Sequence, residues 1–511
     1  QTGFVRDYND KKWKLFSNVP EPAVSNSYID FTSAIYDTIK VGGIDLSGGN
    51  LANSVIQGAT LCNSALCNSS GSGLTWCNST VCNLSLVGSL TLGSGLSGSV
   101  GTAGQVLTSG GSAGCTYWST PSSGGASLTG TNNFIIGGGS VSGSYNTAIG
   151  CTAFLCNSVG SYNFAQGYNV LTNNSGGCDN FAQGSNALTN NTGGNYNFAV
   201  GVNVLCCNTL GTNNFAQGSG VLSNNTGSYN FAQGSNALHC NTTGQNNFAQ
   251  GYNVLFCNIS GSVNFAIGYN SLGFNTGGSY NFAVGVNALY QNSIGNHNFA
   301  VGYSAMANNT SGSNNFAVGC SALYNNTTGS NNFAVGSCAL YQNTSGNHNF
   351  AVGCGVLYNN TTGSNNFAVG YYALKQNVTG SNNFAVGSCA LYLNTSGSNN
   401  FAVGCSAMNQ NVTGSNNFAV GSNALCNNTI GNNNVAIGCG ALSNNTCGQS
   451  NVAIGSGTLI HNLAGNYNVA IGCSALYQNT CGCYNVAIGY GSLCGNTMGA
   501  GNFAGGINTL Y

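Results

Sequence analysis

The side chains that could do chemistry in this sequence are few and poorly placed for it. His239, His297, His348 and His461 are its only imidazoles. General acid–base catalysis needs titratable groups that tune one another, and a hydrolytic triad needs an acid to orient its histidine. Beyond residue 45 the only carboxylate is Asp179 and the only cation is Lys375. Gly-x-x-Gly strings are common, but none opens a helix after a parallel strand, so they are not phosphate loops. The expectation is a protein that is not an enzyme and holds no cofactor.

The 24 cysteines are the other reactive groups. Cys320 and Cys354, and likewise Cys405, Cys439 and Cys473, recur two repeats apart. That is about 9.5 Å if one repeat makes one coil, too far for a disulfide. Only Cys240 and Cys257 share a position in adjacent copies. Free thiols acting as small hydrophobes, disulfides between chains and a metal site all stay open. The Cys-x4-Cys pairs Cys62/Cys67 and Cys77/Cys82 lie near no histidine and make a weak zinc site. Tyr290, Tyr324, Tyr341, Tyr358, Tyr392 and Tyr477 recur at one position beside Asn and Thr. They are a candidate receptor ladder on which sugars stack, or else a stack that stiffens the array. Triplets such as Asn326 to Thr328 match glycosylation sequons, but Asn and Thr are also what a turn needs.

Only 3% of the residues are charged, against about 25% in ordinary domains. Of these charges, all but Asp179 and Lys375 lie in the first 45 residues. A net charge of −1 offers no electrostatic footprint for nucleic acid, and no apolar run is long enough for a membrane span. The 25 tyrosines and 24 phenylalanines, placed periodically, argue against disorder.

The period is what organises the chain. Anchors run from Thr147 through Phe164, Phe333 and Val435 to Phe503, 22 copies spaced by 17 residues with one gap of 16. A partial copy sits at Phe134. Asn precedes every anchor, Ala follows it, Gly stands three residues on, and a large apolar residue stands seven on. Each copy closes on a run such as Asn325 to Gly329. Alternate residues of a strand face opposite sides, so Phe333 and Val335 share a bulky face and Ala334 and Gly336 a flat one. The bulky face is expected to fill the core, with Phe316, Phe333, Phe350 and Phe367 as anchors. The flat face, with Ala334, Gly336, Ala351 and Gly353, is expected to pack chains together as a trimer. Stacked copies place identical Asn side chains in register, ready to form amide ladders; Gln166, Gln183, Gln217, Gln233 and Gln250 are expected to extend such ladders into the core. The fold class is all-β: a β-solenoid, or parallel β-roll, of 17-residue repeats with almost no helix.

The recurring Asn-Phe-Ala-Val-Gly-x-x-Ala-Leu resembles the Asn-x-Val-Ala-Ile-Gly-x-x-Ala repeats of trimeric adhesin heads, most closely from Asn451 to Gly455. Similar repeats occur in tail fibres of cyanophage-like viruses. Lys11 to Pro22, Asp30 to Gly43 and Gly104 to Trp118 also look like parts of such fibres. The unit here is longer than the usual head repeat, and richer in cysteine. The resemblance implies a homotrimeric, extracellular structural fibre of a virion that mediates reach and host attachment. Residues 1–45 are then an attachment module for a baseplate or other fibre proteins. Residues 46–130 are a Ser/Gly/Thr-rich β shaft or linker, and 131–511 the array with its C-terminal cap. The partners so implied are further copies of the chain and a host-surface glycan or protein. The rival expectation is a self-assembling extracellular filament or cell-surface adhesin of a microbe.

Overall fold

The computed structural model describes residues 131–137 and 140–510, together with the backbone of short strands between Thr2 and Ser119. Two compact units divide the chain, residues 1–119 and 120–511.

In the larger unit the 17-residue period becomes one coil per repeat. Strands from Phe134–Gly137 to Phe503–Gly505 form one parallel sheet of 23 strands, each paired in register with the equivalent strand of the next copy. The rest of the coil is bonded in the same way. Cys338 N donates to Cys320 O at 2.9 Å, Leu340 N to Val356 O at 2.9 Å, and Thr344 N to Thr361 O at 2.9 Å. A coil too small to satisfy its own backbone thus hands most of its turn donors to its neighbours. At about 4.8 Å per coil the array extends roughly 105 Å. No helix occurs among the described residues.

The expected faces are exchanged. Ala334 and Ala351 are the inward residues, fully buried, as are the alanines that follow every other complete anchor. The anchors Phe316, Phe333, Phe350 and Phe367 lie on the outside, half-exposed. The reason is room. Across from the strand each coil already sends in a large apolar residue, such as Leu340, and two asparagines, such as Asn332 and Asn343, all fully or almost fully buried. What remains opposite them accommodates a methyl and not a ring. The rings stack along the outer face instead, with centroids 4.6 to 5.0 Å apart from Phe164 to Phe418. Ala334 and Ala351 therefore cannot be an intermolecular face. Gly336 and Gly353 mark a coil corner, at φ of 131° and 129°. The glutamines also lie outside, where Gln183 Nε2 donates to Gln166 Oε1 at 3.2 Å in an external ladder.

The inward leucine has a conformational cost. Leu340 sits at φ 54°, and its equivalents in other coils lie close to that value. The left-handed region costs a residue other than glycine about 1–2 kcal/mol. It persists because it turns the side chain into a core closed by neighbours on both sides.

In the smaller unit the segment expected to be a β shaft or linker contains a second regular array. Strands start at Asn50, Val55, Thr60, Ala65, Ser70, Thr75, Thr80 and Ser85, five residues apart. The first five each pair in parallel with the strand 15 residues on, as Asn50 with Ala65 and Ala65 with Thr80. Three strands per coil give a 15-residue period beside the 17-residue one. Thr2–Arg6 pairs antiparallel with Trp13–Ser17, and Val106–Ser109 with Thr116–Ser119. The remainder of the 1–45 module lies outside the described residues.

Candidate interaction surfaces

The interior is spoken for by two asparagine ladders. Asn332 Nδ2 donates to Asn315 Oδ1 at 3.1 Å and to Gly346 O at 2.8 Å, and its backbone N also reaches Asn315 Oδ1. Asn343 Nδ2 donates to Asn326 Oδ1 at 2.7 Å and to the same Gly346 O at 3.0 Å. The Gly346 carbonyl thus ties the two ladders together inside each coil, and the pattern repeats along the array. Buried amides satisfied this completely specify one register. The Asn ladder was legible at the residue before the anchor. The second ladder, ten residues after it, was missed; its signal is that Asn occupies that position in every complete copy.

Function must therefore sit outside. An extended outer feature is the Phe stripe with its flanking Val or Ile two residues on, such as Val335, Val352 and Ile437. From Ile267 onward that flank is wholly apolar as far as Ile488, whereas Gln occupies it in most earlier coils.

The tyrosine ladder is shorter than expected. Tyr324, Tyr341 and Tyr358 stack in succession, 5.1 and 4.9 Å apart and nearly parallel. Their ring faces are turned onto each other, which leaves edges and hydroxyls outward. Burial, then the neighbouring Tyr358 and Tyr324, push the Tyr341 phenol up. Tyr290 meets Phe274 edge-on, and Tyr477 meets His461 edge-on. Tyr392 lies beneath Lys375, whose Nζ sits 4.2 Å from the Tyr372 ring centre and 5.4 Å from that of Tyr392. The lone cation of the array is thus held over aromatic faces.

All described cysteines are free thiols. Cys62 is the ladder neighbour of Cys77, and Cys67 of Cys82, so the register pairs these cysteines across coils rather than five residues apart within one. Among the described residues no cluster of His, Cys, Asp or Glu could hold a metal. His239 Nδ1 lies 2.8 Å from Gly220 O and its ring stacks on Phe256; His297 stacks on Tyr280.

Burial sorts the thiols. It pushes Cys206 up to about 11, helped by the charge of adjacent Cys207. Burial also raises Cys240, Cys257 and Cys426, with Cys240 adding to the shift at Cys257 and Cys405 to that at Cys426. A raised thiol carries less thiolate at a given pH and reacts more slowly. At pH 8, maleimide is expected to label exposed Cys320, Cys354, Cys405, Cys439 and Cys473 well before these four. Peptide mapping of a labelling time course reads the order, and uniform rates would refute it.

No family model matches this chain, nor does any curated protein or solved structure. No helix among the described residues is long and apolar enough to cross a membrane.

Proposed function

We propose that this protein is a structural fibre whose copies associate, as a trimer, through the Phe/Val stripe, and that it serves as a virion tail fibre giving reach and host attachment. The observation that carries the reading is the unbroken outer stack of half-exposed phenylalanine rings from Phe164 to Phe418. Contiguous apolar patches beyond a few hundred Å² are rare on monomers and mark interaction surfaces. This stripe is uncharged, and Phe or Val stands in it at every coil from Phe164 to Val486. Three such stripes can close around one axis, which leaves no stripe open to water. The array itself is stiff, since every coil is bonded to the next through backbone and asparagine ladders. The virion assignment rests on the resemblance of the repeat and of the N-terminal segments. No catalytic role is part of the proposal.

The test is a variant with Phe333→Asp, Phe350→Asp and Phe367→Asp together. In the single chain these positions are half-exposed, so circular dichroism is expected to remain that of the wild type. Burying three carboxylates in an interface costs several kcal/mol each, so the mass by light scattering is expected to fall from trimer to monomer. An unchanged oligomer would remove the stripe as the interface. Ala334→Lys should behave oppositely and open its coil, because Ala334 is interior.

A further inference from the structure

Near the C-terminal end of the array an open groove of about 610 Å³ runs along the outer surface. Its volume is that of a small-ligand site. Asn444, His461 and Gln478 form one wall, from successive coils, and Thr446, Leu463 and Thr480 the other. The two walls arise because the residue between them in each coil, such as Asn462 or Asn479, is turned into the core. Elsewhere in the array outward amides at the position of the first wall bond in separate pairs, Asn173 to Asn190, Asn308 to Asn325 and Asn359 to Gln376. In the groove one such pair is followed by groups that are not paired with one another. Asn427 donates to Asn444 at 2.9 Å, but the next rung is His461 and the rung after Gln478 is Gly495. Among the described residues the Asn444 amide nitrogen, the His461 ring nitrogens and the Gln478 amide have no partner within the chain. Three hydrogen-bonding groups are thus presented at successive rungs, about 4.8 Å apart.

We infer that this groove binds a linear, uncharged oligosaccharide. The inference rests on the attachment reading above, for which it names a partner class and a site. The lining carries no formal charge, and none occurs between Lys375 and the end of the sequence, which disfavours an anionic or cationic ligand. The spacing of the rungs is close to the rise per ring of an extended pyranose chain. Amide and imidazole groups match sugar hydroxyls as donors and acceptors. Leu463, 45% exposed, offers an apolar patch to the C–H face of a ring. An extended peptide is the poorer fit, because strand addition needs an unpaired edge. Here the backbone is already paired coil to coil: Thr446 N to Leu463 O at 3.0 Å, Leu463 N to Thr480 O at 2.9 Å, and Thr480 N to Thr497 O at 2.8 Å.

The test is saturation-transfer NMR on the full chain with maltohexaose, cellohexaose and chitohexaose, and with a neutral Gly/Ser hexapeptide. The expected result is transfer to at least one saccharide and not to the peptide. Transfer should weaken at least tenfold in His461→Ala, in Gln478→Ala and in the groove-filling Thr480→Trp. It should be unchanged in Gln342→Ala, the same position in a distant coil. No transfer to any of the saccharides, transfer to the peptide alone, or equal transfer in all variants would each overturn the inference. A parallel cell-attachment assay separates the two claims. Attachment without saccharide binding overturns the groove alone, whereas saccharide binding without attachment to any cell overturns the attachment reading alone.

Discussion

Gly353→Ala is expected to open the array locally, at a cost on the order of 3–5 kcal/mol, although it adds one methyl group. Gly353 has φ 129°, outside the range that a residue with a Cβ adopts comfortably. A Cβ there would run into the carbonyl oxygen of Gly370 and lie 2.9 Å from its carbon. Both are backbone atoms of the next coil, and that coil is held by the one after it. The clash cannot be relieved by a rotamer change, only by parting the coils. Because each coil touches only its neighbours, the damage should stay local. Hydrogen exchange is expected to rise sharply from about Phe333 to Phe384 while coils near Phe231 keep their protection. Gly501 is the control, since its φ is 71° and nothing lies within 4 Å of an added Cβ. Gly501→Ala should cost only about 1 kcal/mol of backbone strain. If the two variants exchange alike, coil-to-coil approach is not what fixes glycine at this corner.

Asn343→Asp is expected to be as damaging at pH 7, by roughly 3–5 kcal/mol, while being nearly isosteric. The side chain is fully buried. Its amide nitrogen donates to Asn326 Oδ1 and to Gly346 O, and its oxygen accepts from Asn360 Nδ2 at 2.8 Å. A carboxylate keeps the acceptor and loses both donations, facing two oxygens with an uncompensated charge. The pH dependence has a definite sign. Burial raises the folded-state pKa of the new carboxyl above its unfolded value near 3.9. The penalty therefore appears as pH rises above the unfolded pKa and fades when both states are protonated. Chemical melts at pH 7 and pH 3 should show the variant approaching wild type at the lower pH. The background is quiet, since Asp179 is the only native carboxylate side chain in the array. A defect equal at both values would mean that shape, not charge and donor loss, is what the ladder requires.

These two positions show how far the sequence reaches. Glycine three residues after every anchor, as at Gly353, could be read as obligatory from its repetition alone, whereas the ladder position of Asn343, ten residues after the anchor, was missed although Asn repeats there as strictly; the 17-residue period gave the β-solenoid and its one repeat per coil. The N-terminal array was harder to see, because five-residue spacing with Leu51, Ile56, Leu61 and Leu66 at strand centres is a weaker signal than a repeated sequence. The direction of the faces was not legible. Strand alternation separates Phe333 and Val335 from Ala334, but it is symmetric with respect to inside and outside. The choice depends on the width of the coil, set by Leu340, Asn332 and Asn343 arriving from other parts of the turn. The sequence by itself determined the period, the parallel in-register stacking and the confinement of nearly all charge to the first 45 residues. Only the tertiary structure decided that alanine lines the core and phenylalanine the surface, because the space left inside a coil is a property of the closed turn and not of any one strand.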